Sequence, residues 1–205
     1  MKLDPFYPIL DSVDWIKRLV PIGIRLVQLR IKNVASTATL RDHIAEAKAI
    51  CAYYQCQLIV NDYWHLAIEE GCDFIHLGQE DLATADIANI RKAGLRFGIS
   101  THDEAELHIA LATKPNYIAF GPIYPTTLKA MKWAPQGLER ISLWRKKIEM
   151  LPLVVIGGLN IERLANVFAH HCNSVAVVTD ILMNKNPEAR IRAWIEATNK
   201  WRKLL

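Results

Sequence analysis

The sequence predicts an α/β fold, a single compact (β/α)8 TIM barrel over residues 1–205, and three observations point to it. Short apolar and β-branched runs recur along the chain and each stops at a polar, acidic or glycine residue. That is how strands buried on both faces read, and parallel sheets place ligand chemistry at the strands' C-terminal ends. Between the runs lie segments with apolar residues at three- and four-residue steps, the spacing of helices with one buried face. The two patterns alternate eight times, which favours closure over an open doubly wound sheet. The lack of GxGxxG after the first run weakens the open alternative further.

The first strand falls near Phe6 to Leu10. RLVQLR then ends at Gln28 and Arg30, QLIVND at Asn61 and Asp62, and FIHLGQED at Gln79, Glu80 and Asp81. RFGIST ends at Ser100, NYIAFGP at Gly121, LVVIGG at Gly157 and Gly158, and SVAVVTD at Thr179 and Asp180. Residues 36–54 turn Leu40, Ile44, Ala47 and Ile50 to one side, with Thr39 as the expected N-cap. Residues 103–113 open with Asp103 as cap and Glu104 and Glu106 in the first turn, where the helix dipole favours acids. Residues 161–170 and 187–203 read as helices too, the second with Asn186 as cap and Pro187 at its first position. The longest irregular stretch, 122–137, reads as a lid. A barrel in so short a chain requires short loops elsewhere.

With 51% hydrophobic and 22% charged residues, the composition is that of an ordinary globular domain with one large core. The net charge of +4 is spread along the chain, which suits anionic small substrates and argues only weakly for nucleic acid. Cys51, Cys56, Cys72 and Cys172 lack paired metal-ligand spacing and read as structural thiols. The opening MKLDPFYPIL does not resemble a signal peptide, and no apolar run reaches bilayer length, so a cytoplasmic location is expected. His76 and His102 read as satisfied structural histidines. The basic tail with Ile191, Trp194, Ile195 and Trp201 reads as a helix packed on the barrel rather than a membrane or nucleic-acid contact.

Several run ends carry chemistry. Asn61-Asp62 and Asp81 follow neighbouring strands, and two hard carboxylates on one rim suit Mg²⁺ bridged to substrate phosphates. The competing reading is that Asp62 and Asp81 cap the following helices. Gln28, Arg30 and Lys32 alternate onto one face, an amide and two cations aimed at one ligand. Gly157-Gly158 and Val178-Thr179 sit after the seventh and eighth strands, where barrels commonly build a phosphate site. The loop GPIYPTTLKAMKWAPQG adds Thr126, Thr127 and Lys129. Together these describe a site for two phosphorylated ligands.

These segments resemble the thiamine phosphate synthase (thiamine-phosphate pyrophosphorylase) family. QLRIK at 28–32, NDYWHLAI at 61–68, HLGQEDL at 76–82, GISTHDEAE at 98–106, APQGL at 134–138 and IGG at 156–158 carry the likeness, which runs in order from about Tyr7 to Ile181. The resemblance implies a (β/α)8 barrel that joins hydroxymethylpyrimidine diphosphate to thiazole phosphate, giving thiamine phosphate and diphosphate. By matching position it implies that Gln28, Arg30, Lys32 and Asn61 hold the pyrimidine diphosphate and that Asp62 and Asp81 bind Mg²⁺. Ser100 and Lys129 match further contacts to that substrate, and Thr126, Gly158, Val178 and Thr179 match the thiazole phosphate site, with Thr127 beside them. Lys129, Ser100 and Arg30 are the candidate catalytic residues.

Two departures stand out. Where the family's loop commonly reads PTxTK, this chain has PTTLK, with Leu128 in place of a second threonine; Asp180 stands where a small neutral residue is usual. A related thiazole tautomerase and a barrel that only binds thiamine precursors are the competing functions, and the intact QLRIK, ND and QED segments argue against the first. The expected partners are small-molecule substrates, with no nucleic acid and no membrane. A homo-oligomer is compatible with the sequence.

Overall fold

A computed structural model describes residues 2–32, 34–126 and 133–204. Thr127, Leu128 and Lys129 therefore lie outside the described residues. Eight parallel strands close into a barrel in chain order: β1 (Phe6–Leu10), β2 (Leu26–Leu29), β3 (Gln57–Asn61), β4 (Phe74–Leu77), β5 (Arg96–Thr101), β6 (Tyr117–Phe120), β7 (Leu153–Ile156) and β8 (Ser174–Val177). β1 meets both β2, with Ile9 opposite Gln28, and β8, with Phe6 opposite Val175. Nearly all strand residues are buried, because each faces either the barrel interior or the helical coat.

Helices follow the strands: α1 (Val13–Leu19), α2 (Thr37–Tyr53), α3 (Trp64–Glu69), α4 (Gln79–Thr84), α5 (Ile87–Lys92), α6 (Glu104–Ala112), α7 (Glu139–Ile148), α8 (Leu164–Ala169), α9 (Thr179–Leu182) and α10 (Pro187–Leu204). Ten α-helices among the described residues exceed the eight that periodicity predicts. The connections after β4 and β8 each hold two helices, α4 with α5 and α9 with α10, which a search for one apolar face per unit does not separate. The N-cap of α2 is Ser36, whose Oγ accepts from Thr39 N at 3.1 Å; Thr39 is the N3 partner and not the cap. Asp103 caps α6, and Asn186 Oδ1 accepts from Ala189 N at 3.0 Å at the start of α10.

Leu40, Ile44, Ala47, Leu107, Ala110, Ile191 and Trp194 are buried, as their spacing predicts, between the strands and the helices. Trp194 stacks on Phe6 with ring centroids 5.2 Å apart, and Trp201 on Phe168 at 4.3 Å, so the basic tail packs its apolar face on the barrel. Arg202 bonds both carboxylate oxygens of Asp4, at 2.7 and 2.9 Å, fastening α10 beside β1.

A second, smaller core fills the barrel itself, with Tyr7, Ile59, Phe74, Tyr117 and Val154 among its members. Gly98 on β5 is what admits Tyr117: a Cβ there would lie 2.0 Å from Tyr117 Cζ, inside any attainable contact distance. No described helix is long and apolar enough to cross a membrane.

Candidate functional site

The C-terminal ends of β2 to β5 bring the predicted polar residues to one sector of the rim. β2 ends at Leu29, so Gln28 lies within the strand and is buried, while Arg30 and Lys32 follow on the exit segment, with Ile31 between them buried in the same core as Val27 and Leu29. Lys32 is exposed and reaches across to the next strand end, where Nζ pairs with Asp62 Oδ2. Arg30 is fixed by its peptide N–H on Leu10 O at 2.8 Å, and its guanidinium makes no ion pair with a described residue.

Asp62 adopts a left-handed backbone with φ of 63°, a region non-glycine residues rarely enter except Asn and Asp. Its N–H bonds His76 O at 2.8 Å and its carbonyl accepts from Trp64 N at 2.7 Å, so the neighbouring strand and helix hold the turn. Asp81 lies in the first turn of α4 rather than at a strand end, and its carboxyl group meets that of Asp62. Burial raises its pKa first and the adjoining Asp62 carboxylate raises it further, with Lys32 opposing both. Neither acid caps a helix. The caps of α3 and α4 are Tyr63 and Gly78, and neither makes a side-chain capping bond.

Asp62 and Asp81 both carry hard oxygens of the kind Mg²⁺ prefers, and Lys32 opposes their negative charge. No cluster of three or more His, Cys, Asp or Glu side chains with metal-holding geometry occurs among the described residues. A divalent ion at Asp62 and Asp81 would therefore need further oxygens from outside these side chains.

Beneath this sector runs a chain of hydrogen bonds that the sequence reading missed. Gln28 Nε2 donates to Tyr7 Oη at 2.8 Å, Tyr7 Oη meets Tyr117 Oη at 3.0 Å, and Tyr117 Oη meets His76 Nδ1 at 2.7 Å. His76 Nε2 then meets Ser100 Oγ at 2.8 Å, and Ser100 O accepts from Gln79 Nε2 at 2.6 Å. The signal was strand parity: Tyr7 shares its face with Ile9, and Tyr117 with Ala119, all pointing into the barrel. Burial raises the pKa of both tyrosines. It lowers that of His76 to about 4, with Asp62 opposing the shift and Arg30 adding to it, so the ring is neutral near pH 7. His76 is the satisfied histidine that the sequence predicts, yet its partner is a candidate site residue. His102, whose Nδ1 bonds Glu106 Oε2 at 2.7 Å, is satisfied within its own turn.

The opposite sector holds the glycine pair. Gly157 and Gly158 have φ of 104° and 62°. A Cβ on Gly158 would lie 2.4 Å from Pro125 O, and one on Gly157 would lie 2.6 Å from Pro122 Cα. These glycines thus let the start of the β6–α7 connection lie against the end of β7, whatever ligand they also approach. Tyr124 N bonds Gly157 O at 3.1 Å there, which holds Tyr124 and Pro125, just before Thr126, against the glycine turn. Arg163, not foreseen from sequence, packs its guanidinium 4.2 Å from the Tyr124 ring centre and donates to Gly158 O. Val178 and Thr179 form the entry to α9. The lid stretch is tied at its described ends by Gln136 N to Pro122 O at 2.8 Å and Gly137 N to Ile123 O at 3.0 Å.

The chain matches the protein family described as thiamine monophosphate synthase over residues 6–181. It is 59% identical over 202 residues to the thiamine-phosphate synthase of Rhizobium etli, covering 98% of each chain. To the thiamine-phosphate synthase of Yersinia pseudotuberculosis it is 49% identical over 177 residues, covering 86% of this chain and 82% of the relative. Among solved structures, a thiamine phosphate pyrophosphorylase from Pyrococcus furiosus superposes with a TM-score of 0.85 at 21% identity, covering 97% of this chain and 96% of that one. A structural likeness at that identity bears on the fold alone. With the family matched along most of its sequence and a relative of such identity along nearly all of it, the chain belongs to the thiamine monophosphate synthase family.

Proposed function

We propose that this protein is a Mg²⁺-dependent transferase that couples 4-amino-5-hydroxymethyl-2-methylpyrimidine diphosphate to thiazole phosphate, forming thiamine phosphate and releasing diphosphate. The observation that carries the reading is the pairing of Lys32, after β2, with Asp62, after β3, and the interaction of Asp62 with Asp81 in the first turn of α4. Asp62 and Asp81 would hold Mg²⁺, which when bound supplies positive charge to the diphosphate oxygens. Arg30 and Lys32 add positive charge for the same group, Asn61 contributes an amide, and Lys129, outside the described residues, would add a further cation. Gln28 and Ser100 hold the pyrimidine.

The bond between the methylene carbon and the diphosphate oxygen breaks with its electron pair leaving on diphosphate, and the aminopyrimidine delocalises the charge left on carbon. The thiazole nitrogen then donates its lone pair to that carbon. The protein's share is orientation and electrostatics, and one preorganised contact of this kind changes rate by about 10²–10³. Thr126, Thr127, Gly158, Val178 and Thr179 would receive the thiazole phosphate. The deciding experiment incubates the purified protein with both precursors, with Mg²⁺ or with EDTA, and follows thiamine phosphate by mass. Product with Mg²⁺ and none with EDTA supports the assignment; binding of both precursors without product would favour a non-catalytic barrel.

A further inference from the structure

Tyr7, Tyr117 and His76 make no contribution to the chemistry above, yet their hydrogen bonds join Gln28 to Ser100 without a break. The direction of each bond follows from the first. Gln28 donates through Nε2, so Tyr7 Oη accepts there and passes its own proton to Tyr117 Oη. Tyr117 Oη, having accepted, donates to His76 Nδ1. An imidazole that accepts at Nδ1 carries its proton on Nε2, and that proton goes to Ser100 Oγ. Two groups are left over for a ligand. Ser100 keeps its hydroxyl proton to give, and Gln28 Oε1, with no partner among the described residues, is free to accept.

We propose that Tyr7, Tyr117 and His76 are positioning residues that fix Ser100 as a donor and Gln28 Oε1 as an acceptor, so that the site selects an amino-substituted pyrimidine over its oxo counterpart. This rests on the functional reading above. An aminopyrimidine offers an N–H to the Gln28 carbonyl and a ring nitrogen lone pair to the Ser100 hydroxyl. The oxo ring sets a carbonyl against Gln28 Oε1, and the amide cannot turn to meet it without losing its bond to Tyr7. Sites built around such fixed polar groups reject a mismatched ligand strongly because their own groups are left unpaired.

The test compares wild type, Tyr7→Phe and Tyr117→Phe, each of which removes one hydroxyl and keeps the ring. Both variants should raise KM for the pyrimidine diphosphate about tenfold, the size of one net hydrogen bond, and leave KM for thiazole phosphate within about twofold. In Tyr7→Phe the freed amide can turn, so the preference for amino over oxo pyrimidine diphosphate should fall about tenfold. Independently, long-range ¹H–¹⁵N spectra of the wild-type protein should report the Nε2–H tautomer of His76. An Nδ1–H tautomer, an unchanged amino-over-oxo preference, or equal rises in both KM values would overturn the proposal. If either variant does not fold, the other and the tautomer remain decisive. A wild type that makes no thiamine phosphate would sink the functional reading and this inference with it, whereas an active wild type with unaltered variants would sink the inference alone.

Discussion

The carboxylate of Asp180 is gripped by Arg190, through Nε at 2.7 Å and a terminal guanidinium nitrogen at 2.9 Å, and by Trp194 Nε1 at 2.7 Å. An acid beside the expected thiazole phosphate pocket would repel its ligand, but this one spends its charge on α10. The departure from the family pattern at Asp180 is thus a tether between α9 and α10. Asp180→Ala should lower stability by about 2 kcal/mol, because it strands a half-buried guanidinium and an indole N–H. Thermal melting should fall by about 4–8 °C. A melt within about 1 °C of wild type would show the tether to be idle.

Asp62→Asn and Asp81→Asn should each cut turnover by about 10²-fold or more while circular dichroism stays native. Asparagine tolerates the left-handed turn at position 62 nearly as well as aspartate does, so the backbone there has no reason to change. Asp62→Ala lacks that tolerance and should also lose stability. Full activity of both Asn variants would remove the metal assignment.

Acid should weaken the fold through His76. Its pKa is depressed in the folded barrel, to about 4 from 6.5, so as pH falls below about 6.5 the unfolded chain takes up a proton that the folded chain refuses. Stability is complete above that pH and is lost progressively down to about 4, by about 3 kcal/mol in all. Urea midpoints at about pH 7 and pH 5 measure it, and His76→Gln should flatten the dependence. An equally steep slope in His76→Gln would place the titration elsewhere.

Gly98→Ala should be among the most damaging single substitutions. The added methyl would lie 2.0 Å from Tyr117 Cζ, so the ring or β5 must move. Overpacking of this kind costs about 1–3 kcal/mol or more. A shift in the Tyr117 contribution to near-ultraviolet circular dichroism should accompany a lowered melting temperature, and a native-like spectrum with an unaltered melt would refute the packing account.

Much of this was legible in the sequence because strand and helix periodicity are local. Every predicted strand is present, and Asp103, Pro187 and the apolar faces of α2, α6 and α10 lie where spacing puts them. Lys32 follows the end of the strand that carries Gln28, and alternation along one strand does not name its partner, Asp62, on the neighbouring strand end. What depends on pairing across the barrel was out of reach. Tyr7 and Tyr117 are distant in sequence and meet only after closure, and nothing in FYPIL or NYIAF says that two inward hydroxyls will touch. The position of the glycine pair suits a phosphate cradle, while its tight contacts with Pro122 and Pro125 give it a packing reason that no local pattern encodes.

Closure of the barrel has one further consequence. With β8 paired to β1, each of the eight strands has a neighbour on both sides. Their backbone amides and carbonyls are engaged in both directions, and none is left as a template on which a second polypeptide could extend the sheet. Self-association of this protein must accordingly proceed through helix exteriors and loop surfaces, where side chains rather than main-chain ladders decide who binds.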